Sequence, residues 1–207
     1  MRILVTGGAG FIGSHLCEML LGKGNEVVCL DDFNDFYNPK IKEKNISLCK
    51  KNKNFRLYEA DIRNKKNLAG VFRKEKIDIV VHLAARAGVR PSILYPQLYA
   101  DVNILGTMNL LELARKNNVK KFIFGSSSSV YGLNKKIPFS EDDELKNMIS
   151  PYAITKYAGE RLCGHYHKLY NIPLVCLRFF TVYGPRGRPD MAVYKFTKLI
   201  NEGKEIE

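Results

Sequence analysis

Thr6-Gly7-Gly8-Ala9-Gly10-Phe11-Ile12-Gly13 follows the short apolar run Ile3-Leu4-Val5 and opens into Ser14-His15-Leu16-Cys17-Glu18-Met19-Leu20-Leu21. The pattern predicts a strand, a glycine turn and a helix. In such a turn Gly7 permits the tight bend, Gly10 lets main chain approach a pyrophosphate, and Gly13 lets the helix pack closely on the strand. The unpaired N–H groups and positive dipole end of the helix suit phosphate oxygens. Glycines at this spacing also fit a plain tight turn, so the flanking sequence has to decide. Val27-Val28-Cys29-Leu30 reads as a second strand. It ends at Asp31, about 20 residues on, where an acid meets the adenosine ribose of a dinucleotide.

Strands and helices alternate along the rest of the chain. Lys40 to Lys50 reads as helix, Phe55 to Glu59 as a third strand ending at Asp61, and Asn64 to Lys74 as helix. Asp78-Ile79-Val80-Val81-His82 is continuous and apolar enough for a central strand. One long helix is expected from Pro96 to Asn117, with Leu98, Val102, Leu105, Leu110, Leu111 and Leu113 as its apolar positions. Lys121-Phe122-Ile123-Phe124 predicts a fifth strand, Pro151 to Tyr170 a helix, Pro173 to Arg178 a sixth strand, and Lys195 to Glu207 a helix and a beginning strand. Repeated βα units with apolar strands imply a Rossmann-type α/β fold, a doubly wound parallel sheet with helices on both faces.

A chain of 207 residues holds one domain or slightly more. No run approaches the roughly 18 apolar residues of a membrane span. Met1 lies almost on the first strand, which leaves no room for a signal peptide and sets the expectation of a cytoplasmic protein. Cys17, Cys29, Cys49, Cys163 and Cys176 form no CxxC pair and fall mostly in apolar patterns, as buried thiols do. His165 and His167 have no carboxylate or thiol partner in sequence, so no metal site is expected. The net charge of +12 raises nucleic-acid binding. Against it, the local excess from Lys40 to Lys53 carries no aromatic platform before Phe55 and reads as a solvated helix face. A mild pull on an anionic substrate is compatible with that charge.

Tyr152 and Lys156 stand at i and i+4 on one helix face. A phenol has a reference pKa of about 10. A nearby ammonium or an oxidised nicotinamide ring favours the phenolate, which makes Tyr152 a candidate general base for an alcohol proton. The pair is equally what a structural i,i+4 contact looks like. Ser126-Ser127-Ser128-Ser129, directly after the fifth strand, adds weight, because ligands of open α/β sheets sit at the carboxyl ends of strands. Taken alone the serines also fit a loop or helix cap.

Thr6 to Gly13, His82-Leu83-Ala84-Ala85, Ser126 to Gly132 and the YxxxK pair, in this order, resemble the extended short-chain dehydrogenase/reductase superfamily over essentially the whole chain. More narrowly the chain resembles nucleotide-sugar 4-epimerases, most of all UDP-glucuronate 4-epimerases. The narrower likeness rests on Ala87 to Ser92, Pro138 to Glu141, and above all Arg178-Phe179-Phe180-Thr181-Val182-Tyr183-Gly184-Pro185 with Arg188 to Ala192. The resemblance implies NAD as cofactor. Gly7, Gly10, Phe11, Ile12 and Gly13 would then lie at the pyrophosphate, and Asp31 would bind the ribose while opposing a 2′-phosphate. Asp61 and Ile62 would flank the adenine, and Leu83, Ala84 and Ala85 would line the cofactor. Ser127, Tyr152 and Lys156 take the catalytic positions, with Tyr152 and Lys156 also on the cofactor. Ser126, Ser128, Thr181 and Arg188 are implied substrate contacts, and Arg86 and Arg186 lesser anion contacts.

The implied reaction takes hydride from the C4 of a UDP-sugar and returns it to the other face. Related 4,6-dehydratases carry an Asp-Glu pair where Ser128 and Ser129 stand here, decarboxylating relatives a Glu at Ser129, and galactose-type epimerases an Asn at Thr181. An arginine can pair bidentately with a C6 carboxylate. Arg188 has that reading beside two others, the UDP phosphates and solvent. The resemblance also implies domains of 1–178 for cofactor and catalysis and 179–207 for the start of a small substrate domain. It implies a chain that is a fragment or a truncated gene product, and a homodimer when full length, paired through the Leu98–Leu113 and Tyr152–Tyr170 helices. UDP-glucose or UDP-N-acetylhexosamine 4-epimerisation, an inactive NAD-binding remnant and an ordinary dehydrogenase releasing NADH remain the alternatives, with no nucleic-acid or membrane partner.

Overall fold

Six parallel strands form one sheet in the computed structural model of the chain, which describes residues 1–206. They are β1 (Arg2–Thr6), β2 (Glu26–Asp31), β3 (Phe55–Glu59), β4 (Ile79–His82), β5 (Lys121–Ser127) and β6 (Leu174–Phe179), in the order β3-β2-β1-β4-β5-β6. The sheet grows outward from β1 to β3, then resumes on the other side at β4. That reversal opens a crevice at the carboxyl ends of β1 and β4, the place where doubly wound sheets hold ligands. In register, Thr6 stands beside Leu30 on one side and His82 on the other, which brings three strand ends to the crevice.

The helices are α1 (Phe11–Gly22), α2 (Pro39–Asn45), α3 (Lys65–Glu75), α4 (Val89–Leu94), α5 (Pro96–Ala100), α6 (Gly106–Lys116), α7 (Pro151–Tyr170) and α8 (Ala192–Asn201). Period-2 alternation along the strands builds two cores. Leu4, Val28, Leu30, Val80, Phe122 and Phe124 meet Phe72 of α3, Leu110 and Leu111 of α6, and Cys163 of α7. Ile3, Val5, Val27, Cys29 and Val81 point to the opposite face and meet Cys17 and Leu21 of α1 with Ile46 and Cys49. That second face is covered only in part, for Val175 and Leu177 of β6 remain 42% and 38% exposed.

Several elements depart from expectation. The long helix is three pieces: α5, a π-helical stretch Asp101–Leu105, and α6. Within the widened turn the Asn103 side chain reaches Arg86 and Thr155, a tertiary demand that periodicity does not carry. Leu105, expected in the core, is exposed. The Lys40–Lys50 helix ends at Asn45 and continues as a 3-10 turn, Cys49–Lys51. β3 stops at Glu59, and α4 was not foreseen. β5 runs on through Ser127, so Ser126 and Ser127 belong to the strand itself. After α8 no strand begins among the described residues, and Glu207 lies outside them. Cys17, Cys29, Cys49 and Cys163 are buried free thiols, whereas Cys176 is half-buried.

Candidate active site

The glycine turn is tied to the end of β2 by Gly7 N–H, which donates to Leu30 O at 2.7 Å. Gly7 has φ +67°, and a Cβ there would lie 2.8 Å from Ala84 N, so only glycine lets β1 and β4 come together at the crevice. A Cβ on Gly13 would strike Gly7 O, which keeps the start of α1 against the turn. Asp31 is buried at the tip of β2, where Oδ2 accepts Ala9 N–H at 3.2 Å and Oδ1 accepts Phe33 N–H at 3.1 Å.

On the far side of the crevice α7 lies along the end of β5. Its N-terminus is set by Ser150, whose Oγ accepts Ala153 N–H at 3.1 Å, and by Pro151 in the first turn. Tyr152, Lys156 and Glu160 recur at four-residue intervals and so share a face. Lys156 Nζ donates to Gly125 O at 2.8 Å. Ser126 Oγ donates to Glu160 Oε1 at 2.5 Å. Glu160 is held by both Arg178 Nε and Nη2 at 3.0 Å. The 3-10 turn Ser128–Tyr131 follows, capped by Ser127 Oγ, which accepts Ser129 N–H at 3.2 Å.

Glycine turn and α7 stripe face one cleft of about 510 Å³. Gly7, Gly10, Phe11, Ile12, Gly13 and Asp31 form one wall, with Asp61 and Ile62 at its edge. Leu83, Ala84 and Ala85 form the floor at the end of β4; Ser126, Ser127, Ser128, Tyr152 and Lys156 form the opposite wall. Thr181 and Arg188 close it from the segment after β6. Within this set Ser126 has its hydroxyl engaged by Glu160, and Asp61 is clasped by Arg63 at 2.6 Å. Arg86 lines the cleft, whereas Arg186 turns away to Glu18 of α1 at 2.7 Å.

Burial pushes the Tyr152 phenol above its ordinary range, while the neighbouring Ser127 hydroxyl and the charge of Arg188 pull it partly back. The cation acting on the phenol is thus Arg188, with the Lys156 ammonium turned to a carbonyl. Burial lowers Lys156 to about 8. Arg188 lies over the Phe36 ring at 5.1 Å and gives Nε and Nη2 to Asp190 at 3.0 and 2.6 Å.

Sequence reasoning missed four residues. Lys42, taken for part of a solvated face, is buried and bonds Asp31 at 2.9 Å. Asn103 joins both main-chain groups of Arg86 to Thr155. Tyr99 meets Tyr152 edge-on at 6.3 Å, its hydroxyl donated to Ala87 O at 2.6 Å. Glu160 was legible as the next step of the Tyr152–Lys156 spacing; the other three had no local signal.

A family model described as "NAD dependent epimerase/dehydratase family" matches residues 3–207. The chain is 46% identical over 204 residues to a UDP-glucuronate 4-epimerase of Thermodesulfobacterium geofontis, covering 99% of this chain and 63% of the relative. It is similar to the crystal structure of UDP-glucuronic acid 4-epimerase from Bacillus cereus in complex with UDP-glucuronic acid and NAD, with TM-score 0.92 and 46% identity over 99% of this chain and 64% of that one. A Thermus thermophilus UDP-glucose 4-epimerase structure with NAD matches with TM-score 0.89 and 36% identity, over 100% of this chain and 64% of that one. The chain therefore spans less than two thirds of the length of these relatives.

Proposed function

The chain belongs to the NAD dependent epimerase/dehydratase family, and on that premise we propose that it is the cofactor-binding and catalytic part of an NAD-dependent UDP-sugar 4-epimerase acting on UDP-glucuronate. The observation that carries this is the convergence of the glycine turn, Ser127, Tyr152 and Arg188 on one cleft at the sheet's switch point. The residues present fit NAD: a cradle that a Cβ at Gly7 would fill, and a buried carboxylate at the tip of β2. Gly7, Gly10 and Gly13 would hold the pyrophosphate, Asp31 the adenosine ribose, and Lys156 the nicotinamide end. Bound NAD supplies a hydride acceptor that is also the donor in the return step.

In this reading Tyr152 Oη takes the proton of the sugar C4 hydroxyl and later gives it back. The Ser127 hydroxyl bonds the same oxygen and holds it in line. Because Tyr152 is pushed up by burial, its activation depends on positive charge reaching the cleft, from Arg188 and from the cofactor. Arg188 is near enough to Tyr152 to act on it and keeps Nη1 outside the Asp190 pair among the described residues. That free nitrogen supports a charge-assisted bond to the sugar's C6 carboxylate, two carbons from C4. Ser128 and Ser129 offer no acidic group to expel a C6 hydroxyl, which supports epimerisation over dehydration. The domain division near residue 178, a cytoplasmic location and a homodimer belong to the same proposal. Leu105 and Ile154, each 52% exposed beside α6 and on α7, support the dimer.

Incubation with NAD and, in turn, UDP-glucuronate, UDP-glucose and UDP-N-acetylglucosamine, read by NMR, tests it. UDP-galacturonate is the expected product, and Tyr152→Phe is expected to slow it by about two to four orders of magnitude while NAD stays bound. A preference for the neutral sugars removes the carboxylate role of Arg188; undiminished turnover in the Phe variant removes the phenolate.

A further inference from the structure

We propose that Arg186 and Glu18 form a latch that holds the segment after β6 across the cleft and sets how fast a dinucleotide enters and leaves, a role that rests on the dinucleotide reading above. β6 and β1 stand three places apart in the sheet, about 14 Å at the usual strand spacing. Residues 180–185 bridge that distance over the ends of β5 and β4, because Pro185 O accepts His15 Nε2–H of α1 at 2.9 Å. A dinucleotide cradled by the glycine turn and reaching Tyr152 lies along the same strand ends. The segment crosses its path as a strap. Thr181, Val182 and Arg188 on the strap line the cleft, whereas Pro185 and Arg186 between them grip α1 outside it.

The tip of the strap is shaped for that grip. Gly187 N–H donates to Gly184 O at 3.0 Å and closes a four-residue turn. Pro185 suits the second position of such a turn. Arg186 takes φ +65° at the third, where glycine or asparagine is the usual residue. An arginine keeps that conformation where its surroundings hold it. Nη2 donates to Glu18 Oε1 at 2.7 Å, and Nη1 to Ser14 Oγ at 3.4 Å. Ser14, His15 and Glu18 follow Gly13 directly on α1, and His15 meets the Phe11 ring of the glycine turn edge-on at 5.9 Å. The Arg186–Glu18 side chains are 24% and 31% exposed, so the pair is weak enough to open. Two residues on, Arg188 enters the cleft. Arg186 and Glu18 are thus positioning residues: they touch α1 and the strap, and act on the ligand through the strap.

Stopped-flow fluorescence of NADH tests this without any turnover, reading entry on mixing and exit against excess NAD. The proteins are the wild type, Glu18→Ala, Arg186→Gly and Arg186→Lys, each first checked for fold by circular dichroism. Loss of one half-exposed ion pair is expected to quicken both entry and exit about fivefold in Glu18→Ala and in Arg186→Gly. The dissociation constant, the ratio of the two rates, then moves by less than about twofold. General damage to the cleft would weaken binding instead. Arg186→Lys keeps the charge pair and should hold both rates near those of the wild type. If Arg186→Gly fails to fold, Glu18→Ala decides alone. Rates within about twofold of wild type in Glu18→Ala overturn the proposal and leave the dinucleotide reading intact. So does exit that quickens while entry does not, or Arg186→Lys at the rates of Arg186→Gly. A wild type that binds no dinucleotide overturns both.

Discussion

His82 ends β4 buried between two threonines, with Nδ1 2.7 Å from Thr6 Oγ1 and Nε2 2.9 Å from Thr107 Oγ1. Thr107 spends its only hydroxyl proton on Asn103 O at 2.6 Å, so it can only accept from the ring. Nε2 therefore carries the hydrogen, and Nδ1 accepts from Thr6, whose oxygen also takes Ala84 N–H at 3.2 Å. Burial and the Lys156 charge hold the imidazole neutral, with its pKa down at about 3. In the unfolded chain the value is about 6.5. Between these limits the unfolded state binds a proton that the native state refuses, so stability falls as pH drops through the window and is fully present above it. The slope is up to about 1.4 kcal/mol per pH unit. Urea unfolding at pH 7 and pH 4.5 should show His82→Gln losing about 2–3 kcal/mol less than wild type over that interval. Equal losses contradict the neutral, buried assignment. Little of this was legible beforehand. That Tyr152 and Lys156 share one face was readable from their spacing, and the place of Ser127 on the same cleft from the family resemblance. Lys42 was not, since nothing local separates it from the five other lysines between Lys40 and Lys53.

α7 is the element that turns the end of β5 into a wall of the cleft. Three successive turns of the helix address three successive strand residues: Tyr152 with Ser127, Lys156 with Gly125, Glu160 with Ser126. β6 locks the arrangement through Arg178, which stands beside Ser126 in the sheet register. The Glu160–Arg178 pair is half-buried, with side chains 10% and 18% exposed, so breaking it leaves the guanidinium without a counter-charge and with only Tyr131 Oη and Glu141 O as partners. Glu160→Ala should cost about 2–3 kcal/mol in urea unfolding, between a surface and a fully buried pair, and Glu160→Gln less because it keeps the Ser126 bond. A loss below about 1 kcal/mol, as for a surface pair, rejects the lock. The limits of α7 were readable because both ends are punctuated locally, by Ser150-Pro151 at the start and by Asn171 at φ +53° at the end. The interruption of the preceding helix was not readable, because its cause is the tertiary reach of Asn103.

Across the whole molecule the doubly wound plan followed from apolar strands alternating with helices, while the uneven covering of its two faces did not. Leu174 and Cys176 of β6 pack into the first core, whereas Val175 and Leu177 face the other way and stay open. Among the described residues β6 is also an edge, and α8 buries none of its residues. An exposed apolar edge strand pairs with other chains. The chain should therefore self-associate as concentration rises, and Val175→Lys should raise the monomer fraction in sedimentation velocity. A wild type that stays monomeric throughout contradicts this. The central claim concerns the cleft at the switch point, where the proposed reaction takes one hydrogen from C4 of the sugar and returns it. UDP-glucuronate deuterated at C4, incubated with the chain and NAD in ordinary water and followed by NMR, tests it most directly. The account predicts UDP-galacturonate with deuterium retained at C4 and no net NADH. Loss of the label to solvent, or no epimer at all, would contradict it.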